Sequence, residues 1–172
     1  IYELLKEMVD KQPDAPALEF FDTVYSFEAM DENINIVANA LKKLGVVEDE
    51  SVTICMPNMP EAIFLIYAIN KIGAVANMIH PLLSANEIKK FVEHVDSKAV
   101  ITFDMLYPKL SEIAWETTTK PVIVLARIAD ALPIYLKPLY LAKNKVEINP
   151  NPNHNVIYWN DFLKTGKQRK EP

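Results

Sequence analysis

Between residues 51 and 126 short apolar runs alternate with helix-patterned segments, and this rhythm constrains the fold more than any other feature. Residues 51–56, 74–79, 99–103 and 121–126 are short, apolar and bounded by turn residues, so they read as strands. The segments between them, 62–72, 84–95 and 105–114, carry apolar residues at helical spacing. Strands alternating with helices require crossover connections, which are right-handed and give a largely parallel sheet. Uniformly apolar strands fit a sheet covered by helices on both faces. The expected class is therefore α/β. A chain of 172 residues has the size of one domain, expected over 1–172. It can bury about two-thirds of its surface and needs no disulfide or metal to hold a core.

Before this rhythm, residues 2–9 form a short amphipathic helix, and 17–21 and 23–27 read as strands around Asp22, with a hairpin as the expected pairing. Residues 28–44 are the clearest helix, with Met30, Ile34, Val37, Ala38, Leu41 and Leu44 in one stripe. Ser26 is placed to cap it, and Gly45 can take the left-handed conformation at its end. Asn58, with Glu61 three residues on, reads as a helix start, with Pro60 in the first turn. Ser84 and Glu87 have capping-box spacing, Gly73 stops a helix, and Asp104 reads as a cap. After Ala126 the pattern loosens. Residues 127–155 form an irregular basic and apolar extension, in which Pro133 and Pro138 limit helices to short pieces. Asn149 to Asn153 reads as a loop. Residues 156–165 fit one strand turn and a short helix closed by Gly166, followed by a solvated tail from Lys167.

Composition narrows the function. The three glycines, Gly45, Gly73 and Gly166, are far apart, so no glycine-rich phosphate loop, dinucleotide fingerprint or nucleophile elbow can be written with them. A net charge of −5 argues against general nucleic-acid binding. Residues 1–126 hold 10 basic and 19 acidic residues, whereas 127–172 hold 8 and 4, so the last third differs in kind. The single cysteine, Cys55, excludes an internal disulfide and suits a reducing compartment. The longest apolar run, 62–69, is far below the roughly 20 residues that span a bilayer. No signal peptide is expected at the start, and a cytoplasmic location is. Because residue 1 is Ile, the chain is expected to begin inside a longer one.

No complete catalytic set emerges. Cys55 lies inside a strand, where a thiol is structural rather than reactive. His80, His94 and His154 have no ligand-like spacing with one another or with Cys55, so no metal site is expected. Glu48-Asp49-Glu50 reads as a solvated acidic turn. Ligands of open parallel sheets bind beyond the carboxyl ends of the strands, which here are 56–60, 80–84 and 103–104. The turn His80-Pro81-Leu82-Leu83 is the best placed, and both a structural turn and a ligand contact fit it.

The order of motifs resembles the adenylate-forming (AMP-binding) enzyme family of acyl-CoA synthetases, adenylation domains and luciferases. Tyr25-Ser26-Phe27-Glu28-Ala29-Met30 is similar to its first core motif, with Ala29 at the acid position and Met30 at the Leu position. The 37–46 helix end resembles the helix that follows. Met56-Pro57-Asn58-Met59-Pro60-Glu61 is similar to its Pro-Asn-x-x-Glu turn, and Asn70-Lys71-Ile72-Gly73-Ala74-Val75 to its Leu-Lys-Ala-Gly motif. Met78 and His80 depart from the family pattern and Pro81 keeps it. Trp159-Asn160-Asp161-Phe162-Leu163 resembles the segment shortly before the phosphate loop.

The resemblance implies an enzyme that activates a fatty or other organic carboxylate with ATP and Mg²⁺, then passes the acyl group from the adenylate to coenzyme A. The phosphate loop and the later adenine, ribose and catalytic-lysine motifs are not in this sequence. The chain therefore resembles the amino-terminal portion of an acyl-CoA synthetase. It is expected to be inactive alone, with no catalytic residue or metal ligand of its own and with the remainder of its polypeptide as partner. The resemblance also places His80, Pro81 and Leu82 on the coenzyme A side, although a glycine pair of some relatives is missing there. The stretch 131–145 is expected to pack against that remainder, with peripheral membrane contact and an accidental composition as the other readings. The alternative function is a non-catalytic α/β binding or interaction module.

Overall fold

Ser26 closes a hairpin and opens a helix. In the computed structural model, which describes residues 1–118, 120–132, 135–143, 148 and 150–167, β1 (Pro16–Phe20) and β2 (Thr23–Ser26) pair antiparallel. The two turn residues, Phe21 and Asp22, have φ of 43° and 61°, the sign that lets a two-residue turn follow the strand twist. The Ser26 hydroxyl accepts the Ala29 N–H at 3.1 Å and caps α2 (Phe27–Lys43). α2 buries Met30, Ile34, Val37, Ala38 and Leu41, each large aliphatic contributing about 1.5–3 kcal/mol. The chain leaves α2 through Gly45 at φ 89°, the left-handed exit expected of it.

Five parallel strands form the sheet: β3 (Ser51–Cys55), β4 (Val75–Met78), β5 (Ala99–Phe103), β6 (Val122–Ala126) and β7 (Asn155–Tyr158). Their order is β4-β3-β5-β6-β7. The chain moves outward from β3 to β4 through α3 (Pro60–Lys71), then crosses back past β3 to β5 through α4 (Ala85–His94). With right-handed crossovers, this reversal puts the connecting helices on opposite faces. Side chains alternate accordingly. Val52, Ile54, Ala99, Ile101, Val124 and Ala126 pack with α1 (Tyr2–Lys11), α2, α3 and α8 (Trp159–Lys167). Cys55, Val100, Ile123 and Leu125 pack on the other face with Ile88 and Val92 of α4 and with Tyr107 and Leu110 of α5 (Tyr107–Ser111). The α/β class, the parallel sheet and the helices on both faces are as the sequence implies.

Four local expectations are corrected. β4 is an edge strand with one neighbour, so Val75 and Met78 are exposed rather than covered. α3 starts at Pro60 with Met59, not Asn58, as its cap; a proline at the first position needs no N–H partner. The helix expected over 105–114 is a 3-10 turn, Asp104–Leu106, followed by the short α5. Pro108 has no N–H to give the Asp104 carbonyl, so a continuous α-helix cannot start at Asp104. Phe103 therefore occupies the cap position, and the Asp104 carboxylate accepts the Met105 N–H at 3.0 Å.

The fourth concerns Gly166, which does not close α8 but lies buried within it. A Cβ on Gly166 would overlap the Ile36 carbonyl oxygen, so α8 crosses α2 with the backbones in contact. The Lys43 ammonium donates to the Thr165 carbonyl at 2.6 Å beside this crossing. The extension after β6 holds two short helices, α6 (Ile128–Ala131) and α7 (Lys137–Lys143). Tyr135 donates to Asp22 at 3.0 Å and Tyr140 lies 3.3 Å from the Met105 sulfur, tying the extension to the hairpin and to the end of β5. Pro133, Asn149 and the tail 168–172 lie outside the described residues. Among the described residues, no helix is long and apolar enough to cross a membrane.

Candidate functional site

Strand order locates the site before any side chain is considered. The direction of winding reverses between β3 and β5, and the two crossovers leave a crevice at their carboxyl ends. Because all five strands are parallel, the segments after each of them lie along one edge of the sheet.

After β4 comes the turn His80-Pro81-Leu82. The Leu83 N–H donates to the His80 carbonyl at 3.2 Å. The Leu82 N–H donates to Nδ1 of His80, also at 3.2 Å. A ring nitrogen that accepts carries no proton, so the neutral ring bears its proton on Nε2. The Leu82 side chain is 83% exposed. Ser84 then starts α4 with a complete capping box: Glu87 accepts the Ser84 N–H at 2.8 Å, and the Ser84 hydroxyl accepts the Glu87 N–H at 3.3 Å. The Ser84 hydroxyl also donates to Glu87 Oε2 at 2.7 Å, and this bond with that of the Ser84 N–H holds the Glu87 carboxyl below its ordinary range, with Lys90 and Lys109 adding to the effect.

At the switch point, β3 runs into Met56 and Met59, both buried, and β5 into Asp104, 7% exposed. Burial pushes the Asp104 carboxyl up; the N–H groups of Met105 and Ile128 and the Arg127 charge oppose it. Arg127 follows β6, and its guanidinium lies 4.9 Å from the centre of the Tyr158 ring at the end of β7. Leu125, Arg127, Tyr158, Trp159, Asn160 and Asp161 line a cavity of about 180 Å³ there. A larger cavity, about 370 Å³ beside Ile113, Trp115 and His154, is formed by segments leading into the amino ends of β6 and β7, away from the switch point. Geometry and winding favour the carboxyl edge as the ligand side.

The remaining candidates fall away from this edge or into the core. Cys55 is fully buried and burial pushes its thiol up to about 12, so it is not a nucleophile. His94 is exposed on α4. The ring of His154 bonds through Nε2 to the Ile113 carbonyl at 2.9 Å. Glu50 takes the Val47 N–H and pairs with Lys98 at 3.1 Å, a loop lock rather than an acid–base pair. Among the described residues, no group of three or more His, Cys, Asp or Glu side chains could hold a metal ion.

A model of the AMP-binding enzyme family matches residues 5–160. The chain belongs to that family. Among curated relatives of this AMP-binding enzyme chain is the acetyl-coenzyme A synthetase of Wolinella succinogenes, 31% identical over 136 residues, which cover 78% of this chain and 20% of that protein. The long-chain-fatty-acid–CoA ligase of Bacillus subtilis is 22% identical over 172 residues, 99% of this chain and 30% of that protein. Among solved structures, an anthranilate CoA ligase in complex with anthranoyl-AMP superposes with a TM-score of 0.75 at 21% identity, covering 95% of this chain and 27% of that one. The AMP-binding chain thus spans between a fifth and a third of the length of these relatives, and the structural likeness confirms its fold.

Within the AMP-binding chain, the sequence singled out 56–60, 80–84 and 103–104, and all three lie on one edge of the sheet. Arg127 and Tyr158 complete that edge and were missed. The strand-end rule applied to 121–126 points at Arg127, but the broken pattern beyond Ala126 hides it. None of the three glycines lies on this edge: Gly45 and Gly73 precede β3 and β4, and Gly166 is inside α8. The described residues therefore offer ATP phosphates no glycine cradle and Mg²⁺ no ligand cluster.

Proposed function

We propose that this chain supplies the amino-terminal portion of an ATP-dependent carboxylate-activating ligase. That enzyme forms an acyl-adenylate and then an acyl-CoA thioester from a fatty or other small organic acid. The observation that carries this reading is the AMP-binding family match over 5–160. The names of the relatives agree with it, since they are acid–thiol ligases for acetate, long-chain fatty acids and anthranilate.

In this reading the 172 residues act as one α/β unit, with 127–155 as its extension. They provide scaffold and the acceptor side. His80, Pro81 and Leu82 meet coenzyme A, with the Nε2–H of His80 as a donor and the exposed Leu82 as an apolar contact. Coenzyme A, when bound, supplies the thiol that takes the acyl group; the chain's own residues only orient it. ATP and Mg²⁺ are held by the remainder of the polypeptide, so the chain alone does not catalyse. The 131–145 stretch packs against that remainder, and the enzyme works in the cytoplasm.

The test is carboxylate- and ATP-dependent loss of free coenzyme A thiol, measured on the natural-length protein with acetate, a long-chain fatty acid and an aromatic acid. Consumption with one of them is expected. His80→Ala should then raise the KM for coenzyme A. Consumption with none of them favours the non-catalytic binding module.

A further inference from the structure

Among the described residues, the hydrogen bonds made within 80–84 are local except those from Lys109. The bonds from Leu82 and Leu83 to His80 span two and three residues, and the Ser84–Glu87 box spans three. Lys109, on α5, reaches across 26 residues to donate to the Leu83 carbonyl at 2.6 Å, and its ammonium lies 3.5 Å from the Pro81 carbonyl. Among the described residues, no carboxylate lies within ion-pair distance of it. A half-buried ammonium held by backbone carbonyls makes charge-assisted bonds that resist exchange with water. The local bonds give the turn its shape. Lys109 fixes that shape against the sheet, because α5 is anchored by the buried Tyr107 and Leu110.

We propose that Lys109 is a positioning residue for the thiol acceptor: by clamping the Pro81 and Leu83 carbonyls to α5 it sets where the His80 ring and Leu82 stand at the carboxyl edge. This rests on the reading of the turn as the coenzyme A side. Without the clamp only the local bonds hold the turn, and they open more often. The expected cost falls on binding of coenzyme A rather than on turnover of the bound complex.

The experiment uses the natural-length protein with Lys109→Met, Lys109→Arg and His80→Ala. Lys109→Met should raise the KM for coenzyme A about fivefold with kcat within about twofold, and Lys109→Arg should stay near wild type. Hydrogen exchange at the Leu82 and Leu83 amides should quicken about tenfold in Lys109→Met. If Lys109→Met folds poorly, Lys109→Ala, which also removes the donor, should show the same split. Unchanged exchange at these amides overturns the clamp, whatever the kinetics. Quickened exchange with an unchanged KM, while His80→Ala raises it, also overturns the inference. If neither His80→Ala nor Lys109→Met moves the KM, the acceptor-side reading itself fails, and the inference falls with it.

Discussion

At the crossing of α2 and α8, two backbones touch: the Gly166 Cα faces the Ile36 carbonyl with no space for a methyl group. At the carboxyl edge of the sheet the chain instead turns outward, with an exposed Leu82, an exposed Arg127 and an imidazole bonded to its own turn. The crossing is held by shape, and shape tolerates no added atom. The edge is held by hydrogen bonds and caps that leave donors facing solvent. On the proposed function, the difference separates what this chain contributes to stability from what it would contribute to ligands. A lesion at the crossing should cost the fold, and one at the edge should cost chemistry with the fold intact.

The sharpest way to break that division is Gly166→Ala. The new methyl group meets the Ile36 carbonyl and the Ala40 nitrogen at 3.1 Å, both backbone atoms that no rotamer change can move. Overpacking against backbone should cost about 3 kcal/mol or more, read as a lower urea midpoint at unchanged slope. A loss below about 1 kcal/mol would show that α8 rides loosely on α2.

Next is Thr53→Val, in the buried layer between β3 and α4. Thr53 and Ser97 share a hydrogen bond of 2.6 Å, and the Asn77 amide donates to Thr53 at 2.9 Å. The substitution keeps shape and leaves the buried Ser97 hydroxyl without this partner, so about 1–3 kcal/mol should be lost. Adding Ser97→Ala should recover part of it, as removing both partners of a buried bond does.

At the edge the effects are smaller. Ser84→Ala removes the cap of α4 and should cost about 1 kcal/mol, without the larger loss expected at the crossing. Asp104→Asn tests the switch point through pH. Burial raises the folded-state Asp104 pKa above the unfolded value. Its contribution is therefore fully present below the unfolded pKa and lost as pH rises through the folded one. Wild type should lose stability relative to Asp104→Asn from the ordinary aspartate range upward through that raised pKa. Parallel unfolding curves for the two proteins across this window would contradict the assignment.

The same division explains what could be read from residues alone. Strand existence, the α2 stripe, the Ser26 and Ser84 caps and the Gly45 exit depend on neighbours within a few positions, so local pattern carries them. The exposure of β4 depends on strand order, which its own residues Val75 to Met78 do not encode. Gly166 near a helix end reads as a stop signal, and only the α2 crossing shows it to be a contact point. On the edge, the strand-end rule finds His80 and Asp104 because regular strands precede them. It passes over Arg127, where the following pattern fails, and it cannot find Lys109, whose partners lie 26 and 28 residues away.

The proposed place of these residues in a carboxylate-activating enzyme is tested most directly by carboxylate-dependent exchange of label between pyrophosphate and ATP, with the natural-length protein and the 172-residue chain assayed side by side. The account predicts exchange by the long form with at least one carboxylate and none by this chain. No exchange by the long form across a broad carboxylate panel would contradict the claim, and exchange by the 172-residue chain alone would contradict its role as scaffold.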